Sequence, residues 1–430
     1  MARVIAIMLD GLRRDFVRPG ITPNLCRLAS RATVFEAHRS VFPSATRVVS
    51  AAFATGCHPA RNGLQGNAMA LMEDGRLVLH DAGKPEFLQH KRAVTGCSLA
   101  MPTLAERLAC LGGAIVFNNV SPGAAYAHDP DGHGHVYHRA GSFGPGRIPV
   151  PEASALTIPL GIEGDRAMTR RFLDEAVAGD AAYALLWLSE PDTSQHALPL
   201  GSPEHLEILA AVDALAGAVI DAVDARIAAG EDILLSVGSD HGHQTVTETI
   251  DVEASLVDAG LKAAPGSDDV VVAPNGTAAL IYVHPDHAGR IDAIAAHLSV
   301  QPWAGAVIRG AELAEIGQDP KRGPAIALSM AASDADNAFG VPGLSAAVKP
   351  AAGKADRTGC GQHGGLAARE QAPFLMLAGR DFVAGERRDA PTSAVNLAPT
   401  FLAHLGLPPE DLDGRALQAD HPTETPELHQ

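Results

Sequence analysis

The chain has 430 residues, 46% of them hydrophobic and 19% charged, with a formal net charge of -17. That length can bury a large core in one to three domains, and the composition excludes a disordered chain. The acidic balance argues against a nucleic-acid groove or an anionic membrane surface as partner; a small anionic substrate needs bound metal to reverse the local field.

Cys26, Cys57, Cys97, Cys110 and Cys360 are scattered and form no CxxC pair. Neither a disulfide framework nor a cysteine zinc site is expected, and a reducing cytoplasm fits. Residues 4–9 are a continuous apolar run that stops at Asp10. The run reads as a strand buried on both faces and is too short for a signal-peptide core. No stretch reaches the length of a membrane span.

Helical spacing follows over 22–32. Phe42, Pro43, Ser44, Ala45, Thr46 and Arg47 then form a turn-like segment ahead of an apolar helix over 48–54. A helix N-terminus offers free N–H groups to an anion, and Thr46 is open to two roles, nucleophile or simple N-cap. Residues 101–111 are again helical. Residues 119–159 are rich in Gly, Pro and His and read as a loop or cap near a site.

Residues 181–188 repeat the buried-strand pattern and lead to Asp192, with His196 four residues on. Asp and His suit zinc, manganese or iron, although that spacing alone describes a polar loop equally well. Residues 204–229 keep Leu206, Leu209, Val212, Leu215, Val219 and Val223 at helical spacing. A third strand over 233–237 runs into Asp240-His241-Gly242. Residues 271–344 hold a strand (277–283) and a helix (288–298), and read as a small inserted α+β lobe between core segments 1–270 and 345–430. His363 sits in a glycine-rich turn, 374–378 is a fourth apolar strand, and the tail from Gln418 is polar.

Strands alternating with helices predict an α/β fold, a mostly parallel sheet with helices on both faces. Ligands in such folds bind outside the carboxyl ends of the strands. Asp10, Asp192, Asp240 and His241 all fall at or just past such an end.

Together these segments resemble the alkaline phosphatase superfamily, in its nucleotide pyrophosphatase/phosphodiesterase (type I phosphodiesterase) branch, with phosphonoacetate hydrolase as a near relative. The resemblance covers most of the chain. It is carried by Met8-Leu9-Asp10-Gly11, Thr22-Pro23-Asn24-Leu25, the segment 42–67 with Thr55-Gly56, Pro59 and Asn62-Gly63, and Pro102 to Glu106. It continues through Pro191-Asp192 with His196, Ser239-Asp240-His241-Gly242, His363-Gly364, Leu397 to Thr400 and Leu412 to Arg415.

The resemblance implies an alkaline-phosphatase-like fold and two divalent cations, zinc by family habit, with manganese or iron as alternatives. Asp192, His196 and His363 would hold one cation. Asp10, Asp240 and His241 would hold the other, with Thr46 bound beside them. It further implies cleavage of a small phosphodiester or phosphonate ester by in-line attack of Thr46, through a covalent phospho-threonine intermediate. Asn67 and the Thr46 N–H would bind a phosphate oxygen.

Two departures bear on substrate. Arg47 stands where nucleotide-cleaving members carry an aromatic, and aromatics make up only 4% of the chain. Arg47 can pair with a substrate carboxylate or second phosphate, or can simply cap a helix. Residues 117–122 lack the lysines of phosphonoacetate hydrolases, which weakens P–C bond hydrolysis as the alternative activity. The His128 to Arg139 cluster either faces the site or forms a solvated cap. His58 and His243 read as local hydrogen-bonding residues. A non-catalytic metal-bound protein is the remote alternative, and a homodimer is left open.

Overall fold

The computed structural model describes residues 2–319, 321–350 and 355–418. The polar tail beyond Gln418 lies outside them. The ten-stranded main sheet has at its centre the parallel strands Ile233–Gly238, Arg3–Leu9, Tyr183–Leu188, Ile115–Asn118 and His135–Tyr137, in that spatial order. Leu375–Ala378 pairs antiparallel with Ile233–Gly238, so the fourth apolar run forms the sheet's antiparallel flank. His135–Tyr137 belongs to the 119–159 stretch, which therefore extends the sheet as well as passing near the site.

Why the strands are apolar throughout follows from the packing. Val4, Ala6 and Met8 lie in one core cluster, and Ile5, Ile7 and Leu9 lie in another on the opposite face. Tyr183, Leu185 and Trp187 divide from Ala184, Leu186 and Leu188 in the same way. Each Val, Ile, Leu or Met side chain among them contributes roughly 1.5–3 kcal/mol on full burial, so the centre of the sheet is strongly fixed.

Helix Pro203–Ala228 covers one face, with Leu209, Val212, Ala216, Val219, Ile220 and Val223 buried. Its Asp213 carboxylate accepts the Asn24 and Leu25 backbone N–H groups, at 3.0 and 2.9 Å, and so fastens the start of helix Pro23–Ala29. On the other face lies helix Thr46–Thr55, almost wholly buried and ended by left-handed Gly56.

A second, four-stranded antiparallel sheet joins Val270–Pro274, Ala278–Val283, Ile326–Met330 and Ala304–Arg309. With helix Ile291–Ser299 it encloses a separate small core that includes Ile281, Ile294, Leu298 and Leu328. Among the described residues no helix is long and apolar enough to cross a membrane.

Candidate active site

In-register parallel pairing sets the site. Leu9 pairs with Leu188 and Met8 with Gly238, so three strands end at one edge. Asp10, Asp240-His241 and the turn carrying Asp192 emerge there together. Asp192 opens the short helix Asp192–Gln195, and His196 closes it. His363 follows the two-residue strand Gly361–Gln362. Thr46 is the first residue of its helix, so its N–H has no acceptor within that helix.

The acidic and imidazole side chains separate into two groups whose ligand-type atoms lie within 4.8 Å of one another. One contains Asp10, Asp240 and His241. The other contains Asp192, His196, His363 and, in addition, His243. His243 Nε2 is 2.8 Å from Asp192 Oδ1. The local hydrogen bond expected of His243 is therefore made to a candidate ligand, which the pattern Asp-His-Gly-His did not announce. The rings of His241 and His363 stack at 3.6 Å between centroids and join the two groups.

The imidazoles are oriented from behind. His196 Nδ1 bonds the Gly361 carbonyl at 2.9 Å, His363 Nδ1 the Ser44 carbonyl at 2.7 Å, and His241 Nδ1 the Gly242 carbonyl at 3.1 Å. A carbonyl only accepts, so each Nδ1 carries the proton and each Nε2 keeps a lone pair for a cation. Trp187 Nε1 donates to Asp10 Oδ2 at 3.0 Å, and the Gly11 N–H donates to Asp240 Oδ1 at 2.9 Å. Asp240 Oδ2 is buried without a hydrogen-bond partner, although His241 Nε2 is 3.1 Å away. A buried orphan carboxylate oxygen facing imidazole lone pairs fits a divalent cation well.

Electrostatics agree with that fit. Burial, then the charges of Asp240 and Asp192, push Asp10 well above the usual carboxylate range. Burial raises Asp240 too, against the Gly11 hydrogen bond. Burial also holds His196 and His241 well below the ordinary imidazole value, and His363 at about 3. Three crowded carboxylates beside neutral imidazoles are costly alone and favourable around positive charge.

Thr46 Oγ1 lies 3.1 Å from His241 Nε2 and 3.4 Å from Asp10 Oδ1. The Asn67 side-chain carbonyl accepts the Arg47 N–H at 3.2 Å. The Asn67 N–H in turn donates to Asn275 Oδ1 at 2.6 Å, which links this segment to the smaller sheet.

These residues open into a cavity of about 530 Å³ lined also by Arg47, Arg139, Arg357, His80 and Asp81. Arg47 Nε donates to Ser121 Oγ at 3.1 Å, and its Nη2 lies 3.8 Å from Asp81. Gly83 leaves room for this guanidinium: a Cβ there would meet Arg47 Nη2 at 2.2 Å. Of the His128–Arg139 cluster, Arg139 alone lines the cavity. His128 and His138 are buried in the core, 2% and 1% exposed. Their chemistry is packing, which a count of histidines in the sequence could not separate from binding.

Comparison with known proteins gives the family. A family model described as type I phosphodiesterase / nucleotide pyrophosphatase matches residues 4–318. No curated protein matches. Among solved structures, murine ectonucleotide pyrophosphatase/phosphodiesterase 5 is similar, with TM-score 0.64 and 18% identity over 94% of this chain and 95% of that one. An inactive threonine-to-alanine form of the same murine protein, in complex with AMP, is similar at TM-score 0.64 and 17% identity, over 95% and 96% of the two chains. These structures share the fold. The chain belongs to the type I phosphodiesterase / nucleotide pyrophosphatase family and is a phosphoester hydrolase.

Proposed function

We propose that the chain is a two-metal phosphodiesterase for a small phosphodiester or phosphonate ester that carries a further anionic group. The observation that carries this reading is the contact of Thr46 Oγ1 with Asp10 and His241 of one ligand group, whose His241 ring stacks on His363 of the other.

Asp192, His196 and His363 would hold one cation and Asp10, Asp240 and His241 the other, zinc first, with manganese or iron as alternatives. When bound, the cations supply positive charge to the attacking and departing oxygens of an in-line displacement. Thr46 Oγ gives its proton to water and attacks phosphorus, and the bond to the leaving oxygen breaks, the electron pair departing with that oxygen. The product of that step is a phosphoryl ester on Thr46, which water then hydrolyses. Asn67 and the Thr46 N–H hold a non-bridging oxygen. The murine relative described as inactive carries alanine in place of a threonine, which supports a threonine as the nucleophile here.

Arg47 and Arg357 favour an acidic substituent on the substrate. Among the described lining residues there is no Phe, Tyr or Trp to sandwich a nucleobase. The same arginines support the second reading, P–C bond hydrolysis of a phosphonoacetate-like substrate, which release of phosphate and acetate would identify. The primary test is turnover of bis-p-nitrophenyl phosphate with added zinc or manganese. Thr46→Ala is expected to lower kcat by at least ~10³-fold while retaining metal. Undiminished turnover in that variant would remove Thr46 from the chemistry.

A further inference from the structure

We infer that Glu73, His80 and His90 form a third divalent-cation site beside the cavity, whose wall His80 joins, separate from the two groups of the active site. Glu73 ends strand Ala68–Glu73, His80 lies in its hairpin partner Arg76–Asp81, and His90 lies in helix Phe87–Thr95. Residues from three elements thus converge on one point. Glu73 Oε1 is 2.5 Å from His80 Nε2 and 2.9 Å from His90 Nε2. The two rings are 4.8 Å apart between centroids. All three ligand-type atoms lie within 4.8 Å of one another.

Two imidazoles and one carboxylate are an established donor set for zinc, and for cobalt or nickel used as probes. Donors held at about 2.0–2.2 Å around one tetrahedral ion lie roughly 3.4 Å apart, so these must open by less than about 1 Å. The side chains are partly exposed, at 20% for His80, 40% for His90 and 22% for Glu73. A cation can therefore reach them and keep water in its remaining positions. The competing arrangement has both imidazoles donating protons to Glu73 with no metal, and the two differ in stoichiometry.

Location gives the site a consequence. His80 and Asp81 both line the cavity, and Asp81 lies 3.8 Å from the Arg47 guanidinium. A cation would bind the hairpin to helix Phe87–Thr95 and so fix the wall that positions Arg47. Occupancy is expected to act on KM and to leave kcat unchanged, which rests on the proposed role of Arg47. The binding claim itself is independent of that role.

The test is the metal content of the full chain after zinc loading and desalting, with a cobalt titration followed by absorption. The wild type is expected to hold one equivalent more than His90→Ala, and one more than Glu73→Ala. The second variant keeps the test informative if the first fails to fold. If both folded variants retain the wild-type count, the site is excluded. A difference of one equivalent supports it even if no ester is ever turned over, so failure of the proposed activity is distinguishable. Several-fold weakening of KM for an acid-bearing phosphoester in His90→Ala at unchanged kcat would support the coupling to Arg47, and an unchanged KM for that ester would overturn the coupling.

Discussion

The hydroxyl of Thr46 meets His241 Nε2 at 3.1 Å only because its helix begins at that residue and points its open end at the strand termini. The next residue, Arg47, carries the substrate argument. Its guanidinium is buried among Gly83, Ser121 and Asp81, and burial lowers it from its ordinary value while Asp81 and Asp192 raise it. Charged hydrogen bonds of this kind are worth about 1.5–3 kcal/mol. Arg47→Met is therefore expected to raise KM for an acid-bearing ester by ~10–100-fold, with a smaller effect on bis-p-nitrophenyl phosphate. Equal effects on both esters would show that Arg47 does not read the acidic group. His128 illustrates the opposite case, a titratable group spent on the core. It packs edge-on against Phe53 and beside Trp187, and burial lowers it to about 3. Its folded value is depressed, so its contribution is complete above about 6.5 and is lost as pH falls toward 3. His128→Phe is expected to flatten the acid limb of stability by up to about 1.4 kcal/mol per pH unit below 6.5. Denaturation midpoints at about pH 7 and about pH 5 check this, and parallel shifts in the two proteins would contradict it.

At the scale of elements, Asp10 and the Asp240-His241 pair follow strand ends, Asp192 and His196 bracket a short helix, and His363 follows a two-residue strand. The strand ends were legible in the sequence because apolar runs buried on both faces end abruptly at Asp10, before Asp192 and before Asp240. The order of ligands along the chain was legible through the family resemblance. Less visible were the contacts made across the fold. Trp187, read only as part of a strand, holds Asp10 through its indole N–H. His243 gave no sign that it would reach Asp192, because that contact forms across the sheet, between segments that follow Ile233–Gly238 and Tyr183–Leu188 on either side of Arg3–Leu9. Nor did the spacing of Glu73, His80 and His90 suggest convergence, which a hairpin and a following helix create in three dimensions. The smaller sheet supplies another unannounced support. Asn275 accepts the Asn67 N–H and donates to the Ala68 carbonyl at 3.1 Å, while the Thr277 N–H donates to the His363 carbonyl at 3.0 Å. Asn275→Ala is expected to lower kcat by ~10-fold or more through misplacement of Asn67, with metal content unchanged. Wild-type kinetics in that variant would mean that Asn67 is positioned without the smaller sheet.

Over the whole molecule, a strongly acidic chain gathers Asp10, Asp192 and Asp240 at one edge of the sheet, where Asp10 and Asp192 line a cavity that also carries Arg47, Arg139 and Arg357. Bound cations would offset these carboxylates, and the arginines would draw an anionic substrate toward them despite a net charge of -17. The two-faced core fixes the strand ends, so the arrangement needs little rearrangement to bind metal. The central claim is that phosphorus is transferred to Thr46. Acid quenching during turnover of bis-p-nitrophenyl phosphate, followed by peptide mass spectrometry, tests it directly. The account predicts a p-nitrophenyl phosphoryl group on the peptide containing Thr46, absent without substrate and absent in Thr46→Ala. Active enzyme that never carries the group on that peptide, or carries it on another residue, would contradict it.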